Sequence, residues 1–198
     1  MKFTLPARKP FKFYSVVHSH GWLQLAPFSF DDGSNTLSYT LRLSNARVIT
    51  LHLRDGKDSV IVETDKLRKS EQNEATDVVN WMFGLDMDFS AFYTASRTDP
   101  KLAHVKKQAL GRVLRSPTLF EDVIKTILTT NTLWTATINM TRRLVDEFGA
   151  SLTGELSSPK GISKPPLTYK RNLSCLLRVV VSIRAGKSPA LLNHRLKI

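Results

Sequence analysis

Few side chains in this chain are suited to chemistry, and their spacing removes several reaction classes. His18, His20, His52 and His104 could act as metal ligands or proton shuttles, but they form no convincing ligand arrangement, and the His18-x-His20 pair reads as incidental. No metal or cofactor is expected. Cys175 is the sole cysteine, which excludes an internal disulfide and any cluster that needs four thiolates. Carboxylates, the usual general acids, bases and stabilisers of positive charge, end early: Asp146 is the last aspartate and Glu155 the last glutamate. Beyond Glu155 stand only cations, namely Lys160, Lys164, Lys170, Arg171, Arg178, Arg184, Lys187, Arg195 and Lys197. They supply most of the net charge of +12 and leave +3 for residues 1–155. Cations concentrated on one face bind phosphate. Strung along a Ser-, Pro- and Gly-rich stretch, they read as a solvated basic tail.

The elements that must position such groups change along the chain. With 198 residues and 41% hydrophobic content, the chain can bury one substantial core or two small ones. Its longest uncharged apolar run, Val179–Ile183, is too short to cross a bilayer, and the N-terminus lacks an apolar signal core. A soluble, intracellular, monomeric protein is expected, in a nucleus or a bacterial nucleoid or cytoplasm, without membrane contact.

Residues 1–70 read as an antiparallel sheet domain. Phe13–Ser19 is a run rich in strand-forming residues, and Leu37, Tyr39, Leu41 and Leu43 alternate with Ser38, Thr40 and Arg42. Ser44-Asn45 makes a turn. Ile49, Leu51 and Leu53 repeat the alternation, and Asp55-Gly56 predicts a tight hairpin before Val60–Glu63 returns. From residue 71 the period becomes helical: Val78, Val79, Met82 and Phe83, then Phe89, Phe92 and Tyr93, then a segment opened by Asp99-Pro100. The strongest helix is predicted after Ser116, with Pro117 at its first position and Leu119, Val123, Ile124, Ile127 and Leu128 as its stripe. Thr129-Thr130-Asn131-Thr132 breaks it, with Thr130 and Thr132 as caps. A second helix places Trp134, Ile138, Val145 and Phe148 on one side and ends at Gly149, a residue suited to a left-handed cap. Trp134 and Phe120 are expected in the core. Residues 150–198 form a basic, irregular tail.

The block from Leu110 to Asn131, reading LGRVLRSPTLFEDVIKTILTTN, continues without a gap through Met140 to Phe148-Gly149. It resembles the opening of the helical domain of the helix-hairpin-helix DNA glycosylases, in the 8-oxoguanine and 3-methyladenine branch. The sheet before it and Ser19-His20-Gly21-Trp22 are similar to the N-terminal part of the same family, so the resemblance covers about residues 11–149. It implies an α+β fold, with a TATA-binding-protein-like antiparallel sheet followed by an incomplete α-helical glycosylase domain (71–149 being its first part). It also implies base-excision repair of oxidised or alkylated purines, with damaged double-stranded DNA as partner.

Such enzymes reach a bond hidden inside the duplex by extruding the base, and the vacated space needs a plug. In the family this is a short polar side chain at the position of Asn131, whose amide can replace hydrogen bonds that the orphaned base has lost. The other reading of Asn131 is a helix terminator that caps the next helix. Gly21 stands where the family brings backbone close to an extruded purine, or is an ordinary turn glycine. Arg112 and Arg115 are candidate phosphate contacts beside solvated alternatives. The family's catalytic parts lie further along: a glycine-rich hairpin, a lysine in bifunctional members and an aspartate that stabilises charge on the sugar. None of them is found here, and Ser182-Ile-Arg-Ala185 is at most a blurred echo of one neighbouring stretch. The tail is either a native continuation or the product of a frameshift or altered splicing, the second because Gly161–Leu167 can be encoded by nucleotides whose next frame gives Ala-Phe-Pro-Ser-Pro-Leu. A truncated chain that does not excise bases is therefore expected. The rival class is a non-catalytic DNA- or protein-binding module on the same fold, and the blandest is an α+β domain of unrelated function.

Overall fold

A computed structural model describes residues 1–149. Compactness divides the chain into two units, Met1–Glu121 and Asp122–Ile198. The tail from residue 150, with its Cys175 and its proposed change of frame, lies outside the described residues.

The first unit is built on a five-stranded antiparallel sheet of order β1-β5-β4-β3-β2, formed by β1 (Lys2–Pro6), β2 (Phe28–Asp31), β3 (Thr36–Arg42), β4 (Val48–Gly56) and β5 (Ser59–Glu63). The predicted alternation sets the register. Leu37 pairs with Leu53, Tyr39 with Leu51, Leu41 with Ile49, and Leu53 with Val62, so one face presents a continuous apolar surface. The other face is polar. Ser38 faces His52 with their Oγ and Nδ1 2.9 Å apart, and Glu63 next in the row takes Lys2 at 2.9 Å and Arg54 at 3.3 Å. The β4–β5 turn falls at Lys57-Asp58, two residues beyond the predicted Asp55-Gly56. Asp58 takes the left-handed φ of 52°, while Gly56 still pairs with Ser59 and a Cβ on it would collide with that side chain. The glycine therefore serves a close approach rather than the turn itself.

Phe13–Ser19 is not a strand. Phe13–Val17 forms a short helix, α1, because Phe13, Val16 and Val17 share a helical face and all three are fully buried. Neither alternating set in that run is uniformly apolar, so an extended conformation would have buried Ser15 and exposed Val16, or buried His18 and exposed Phe13 and Val17. Tertiary burial outweighs the local strand preference. α2 (Lys69–Phe83) adds Ala75, Val79, Met82 and Phe83 to the same core, where the rings of Phe13 and Phe83 stack at 5.4 Å.

Both ends of α2 are closed by specific groups. At the start, Glu71 reaches back to accept the Arg68 N–H at 2.8 Å, and also takes Asn45 at 2.8 Å and Arg47 at 3.0 Å. Those bonds, the Arg68 amide first, hold its carboxyl below the ordinary glutamate range. At the end, Gly84 takes a φ of 56°, with its N–H on Trp81 O at 3.2 Å and the Leu85 N–H on Asn80 O at 3.1 Å. α3 (Ser90–Ala95) follows, and Asp99 caps the 3₁₀ turn Pro100–Leu102 by accepting the Lys101 N–H at 2.8 Å.

α4 (Leu119–Thr129) starts two residues later than predicted, since Thr118 Oγ1, not Ser116, accepts from a first-turn amide, that of Glu121 at 3.2 Å. Ser116 is buried, and its carbonyl accepts from Trp81 Nε1 at 3.0 Å. In the second unit α4 buries Ile124, Lys125 and Leu128, and α5 (Trp134–Phe148) buries Thr137, Met140 and Thr141. The face predicted for α5 differs: Trp134 and Phe148 are exposed, and Phe120 is only half-buried. Gly149 ends α5 in an extended conformation (φ −71°), not the left-handed one expected of a terminal glycine.

Candidate nucleic-acid interface

The elbow between α4 and α5 is shaped by threonine hydroxyls. A helix leaves its last four carbonyls without intrahelical donors. Here Thr129 Oγ1 donates to Thr126 O at 2.7 Å, Thr130 Oγ1 to Ile127 O at 2.8 Å, and Thr132 Oγ1 to Leu128 O at 2.9 Å. Thr137 reaches back from α5, its Oγ1 lying 3.1 Å from Leu128 O and 3.0 Å from Thr132 Oγ1. Two hydroxyl protons thus serve a closed triangle of three oxygens. Thr137 is 1% exposed and its own carbonyl accepts from Thr141 Oγ1 at 2.9 Å, so the triangle is anchored to the buried face of α5.

Asn131 sits at the tip of this elbow with a φ of 51°. Asparagine is among the few residues that tolerate this left-handed conformation. Its side chain is exposed, and among the described residues its amide takes no hydrogen-bond partner. Asn131 does not cap α5, whose N-cap is Leu133 without a side-chain bond. It ends one helix and points a free amide outward.

The other three candidates lie in the first unit. Gly21 opens the 3₁₀ turn Gly21–Gln24, where His20 Nδ1 accepts the Trp22 N–H at 3.2 Å. It has none of the positive φ that Gly84 and Gly111 adopt, so the turn does not demand a glycine on conformational grounds. The stretch holding Arg112 and Arg115 meets this turn: Ser19 Oγ accepts the Leu114 N–H at 3.0 Å.

Arg112 and Arg115 have different surroundings despite lying three residues apart. Arg112 is 3% exposed, and its guanidinium donates to the carbonyls of Gly84, Arg8 and Met87 while lying 4.7 Å over the Phe89 ring. Burial pulls its pKa down from the usual arginine value, against favourable fields from Tyr93 and Asp86. A cation held this way ties the chain after β1 to the end of α2 and has no surface left for a phosphate. Arg115 is partly exposed and lies 4.5 Å over the ring of Trp81, itself 46% exposed, with Nη2 2.6 Å from Met87 Sδ.

Three features escape a reading by periodicity: the Thr132–Thr137 triangle, the left-handed Gly84 and the Trp81–Arg115 stack. A threonine-rich break flanked by a further threonine at Thr137 was the available signal for the first, and a lone glycine after Phe83 for the second. The third joins positions that only the fold brings together. Among the described residues no group of histidines, cysteines and carboxylates is placed to hold a metal ion.

No protein-family model and no curated protein sequence matches the chain. Solved structures do. The chain superposes on a 3-methyladenine DNA-glycosylase from Archaeoglobus fulgidus with a TM-score of 0.60 and 16% identity, over 74% of this chain and 50% of that one. It superposes on MBOgg1 in complex with a low-affinity DNA ligand with a TM-score of 0.56 and 17% identity, over 93% of this chain and 58% of that one. The chain therefore spans little more than half the length of the structures it matches. With its antiparallel sheet and helices it is an α+β protein that resembles the DNA glycosylase superfamily in fold.

Proposed function

We propose that the chain engages double-stranded DNA at damaged purines as a relative of base-excising glycosylases, with Asn131 filling the space left by an extruded base. The observation that carries this reading is the α4–α5 elbow, which offers a free, exposed amide on a backbone fixed by hydroxyl bonds. Two donors and two acceptor sites on one short side chain suit it to an orphaned base of either hydrogen-bond pattern. The fold likeness supports the choice of DNA, one of the similar structures being a complex with a DNA ligand. In this reading residues 1–70 provide a TATA-binding-protein-like sheet and residues 71–149 the first part of a helix-hairpin-helix glycosylase domain. Gly21 would allow backbone to approach the purine, and Arg115 would meet a phosphate, while Arg112 holds the fold.

The parent chemistry is hydrolysis of the N-glycosidic bond of an oxidised or alkylated purine. That step needs a carboxylate beneath the sugar as well as a wedge, and loss of one acid–base group typically forfeits about 10²–10⁴ in rate. In this reading the elbow supplies the wedge alone, and the chain, as a monomer, binds and perturbs the duplex without turning it over. No helix among them is long and apolar enough to cross a membrane.

A duplex with 2-aminopurine beside 8-oxoguanine or an alkylated adenine tests both halves of the proposal. Binding should raise the fluorescence as the stack opens, and Asn131→Ala should remove that rise while leaving affinity nearly unchanged. An Asn131→Ala protein that opens the stack as well as the native chain rules out the wedge. Multiple-turnover appearance of abasic sites rules out a chain that only binds.

A further inference from the structure

We propose that the turn-rich lobe of residues 97–107 is a phosphate-binding surface for the backbone of duplex DNA. In the first unit Lys2 and Arg54 meet Glu63, Arg8 meets Asp88, Lys9 meets Asp58 and Arg47 meets Glu71, while Lys12, Arg42, Lys57, Lys66 and Lys69 are exposed cations outside such pairs. The lobe gathers four cations of this second kind around a single acid. Arg97, Lys101, Lys106 and Lys107 are all exposed, and among the described residues none of them meets a carboxylate. The one acid within the lobe, Asp99, has an oxygen engaged in capping its own 3₁₀ turn. Residues 97–107 thus carry a net +3, where residues 1–121 as a whole carry +4.

The lobe is also held in shape before any ligand arrives. Val105 and Ala109 are buried beneath it, Tyr93 Oη donates to Leu110 O at 2.8 Å, and Ser15 Oγ donates to Gln108 O at 2.8 Å. Turns at Leu102, Val105, Gln108, Ala109 and Leu110 close its backbone. At the ~2.0 Å rise of a 3₁₀ path, its length is at most about 20 Å. A duplex presents about one charge per 1.7 Å, so it can set a phosphate against each of the four cations within that span. Long cationic side chains on a rigid, exposed turn give strong, sequence-independent contact of the kind that grips a backbone.

Choosing DNA as the polyanion rests on the function proposed above, and the test separates the two. Duplex affinity is measured against salt for the full chain, for the variant Arg97→Gln, Lys101→Gln, Lys106→Gln, Lys107→Gln, and for a control with Lys2→Gln, Lys9→Gln, Lys12→Gln, Lys57→Gln. Each phosphate contact contributes about 0.9 to the slope of log affinity against log salt, so the lobe variant should lose about 3.6 in slope and the control less than about 1. Melting temperatures check that all three are equally folded. Equal losses in both variants, or none in the lobe variant, overturn the proposal, as does tight binding to heparin without binding to duplex. A slope that falls with the lobe while the native chain never opens the stack removes the wedge and keeps the lobe.

Discussion

The sheet unit and the α4–α5 elbow are held together by different physics. The sheet is secured by area: Leu37, Ile49, Leu51, Leu53, Val60, Val62, Val79, Met82 and Phe83 are all fully buried in one cluster. The elbow is secured by a few directed bonds from Thr129, Thr130, Thr132 and Thr137 to carbonyls that the helix leaves open. Burial is insensitive to direction and tolerates change of shape, whereas hydroxyl bonds fix a backbone angle at one residue. A core of the first kind makes a stable platform, and a turn of the second kind presents a single side chain in a defined place.

Phe83→Ala should break the sheet side of this comparison most severely. It removes a fully buried ring stacked on Phe13 and should cost about 3–5 kcal/mol, read as a lower denaturant midpoint. A loss below about 1 kcal/mol would mean that α2 is not part of the sheet core. Arg112→Met comes next. It removes the guanidinium from three carbonyls, of which Gly84 O keeps the Met87 N–H, and about 3 kcal/mol of destabilisation is expected, with duplex affinity unchanged once the protein is folded. Loss of DNA binding in a fully folded Arg112→Met protein would return this residue to the interface.

Thr137→Val sharpens the elbow side. The swap keeps the shape and removes the hydroxyl, so about 1 kcal/mol should be lost, together with the Asn131-dependent fluorescence rise. Combined with Asn131→Ala, the two effects on fluorescence should be non-additive, because the threonine acts through the position of the asparagine. Additive effects would separate them.

Acid should act through Glu71. Its carboxyl is held below the ordinary value of 4.5, so the stability it contributes is full above that pH and falls away as the pH drops through the lowered folded value. Glu71→Gln should flatten this acid limb in a melting-temperature profile. The smallest effect belongs to Lys2→Ala, which opens one solvent-exposed pair with Glu63 and should shift stability by no more than about 0.5 kcal/mol.

How much of this was readable in advance varies with the interaction. The meander from Thr36 to Glu63 was legible because a half-buried strand writes its environment into every second residue. β1 and β2 were missed, since Lys2–Pro6 and Phe28–Asp31 are short edge strands with little alternation to display. Phe13–Val17 was misread because five residues carry too few periods to separate helix from strand. Among the candidate site residues, the position of Asn131 after a helix was legible, while the burial of Arg112 was not. Nothing in the sequence distinguishes an arginine whose guanidinium closes on Gly84, Arg8 and Met87 carbonyls from one that faces solvent.

By itself the sequence determined the alternation of the central strands, the helical stripe of α2, and the threonine-rich break that ends α4. Each of these depends on neighbours within a few residues, whose side-chain directions follow from backbone geometry alone. Only the tertiary structure decided that α1 is a helix, that Arg112 is a clamp while Arg115 stacks on Trp81, and that four cations of residues 97–107 stand unpaired. Those outcomes depend on contacts between residues distant along the chain, such as Arg8 with Arg112 or Trp81 with Arg115, where side-chain chemistry takes its meaning from whatever the fold places beside it.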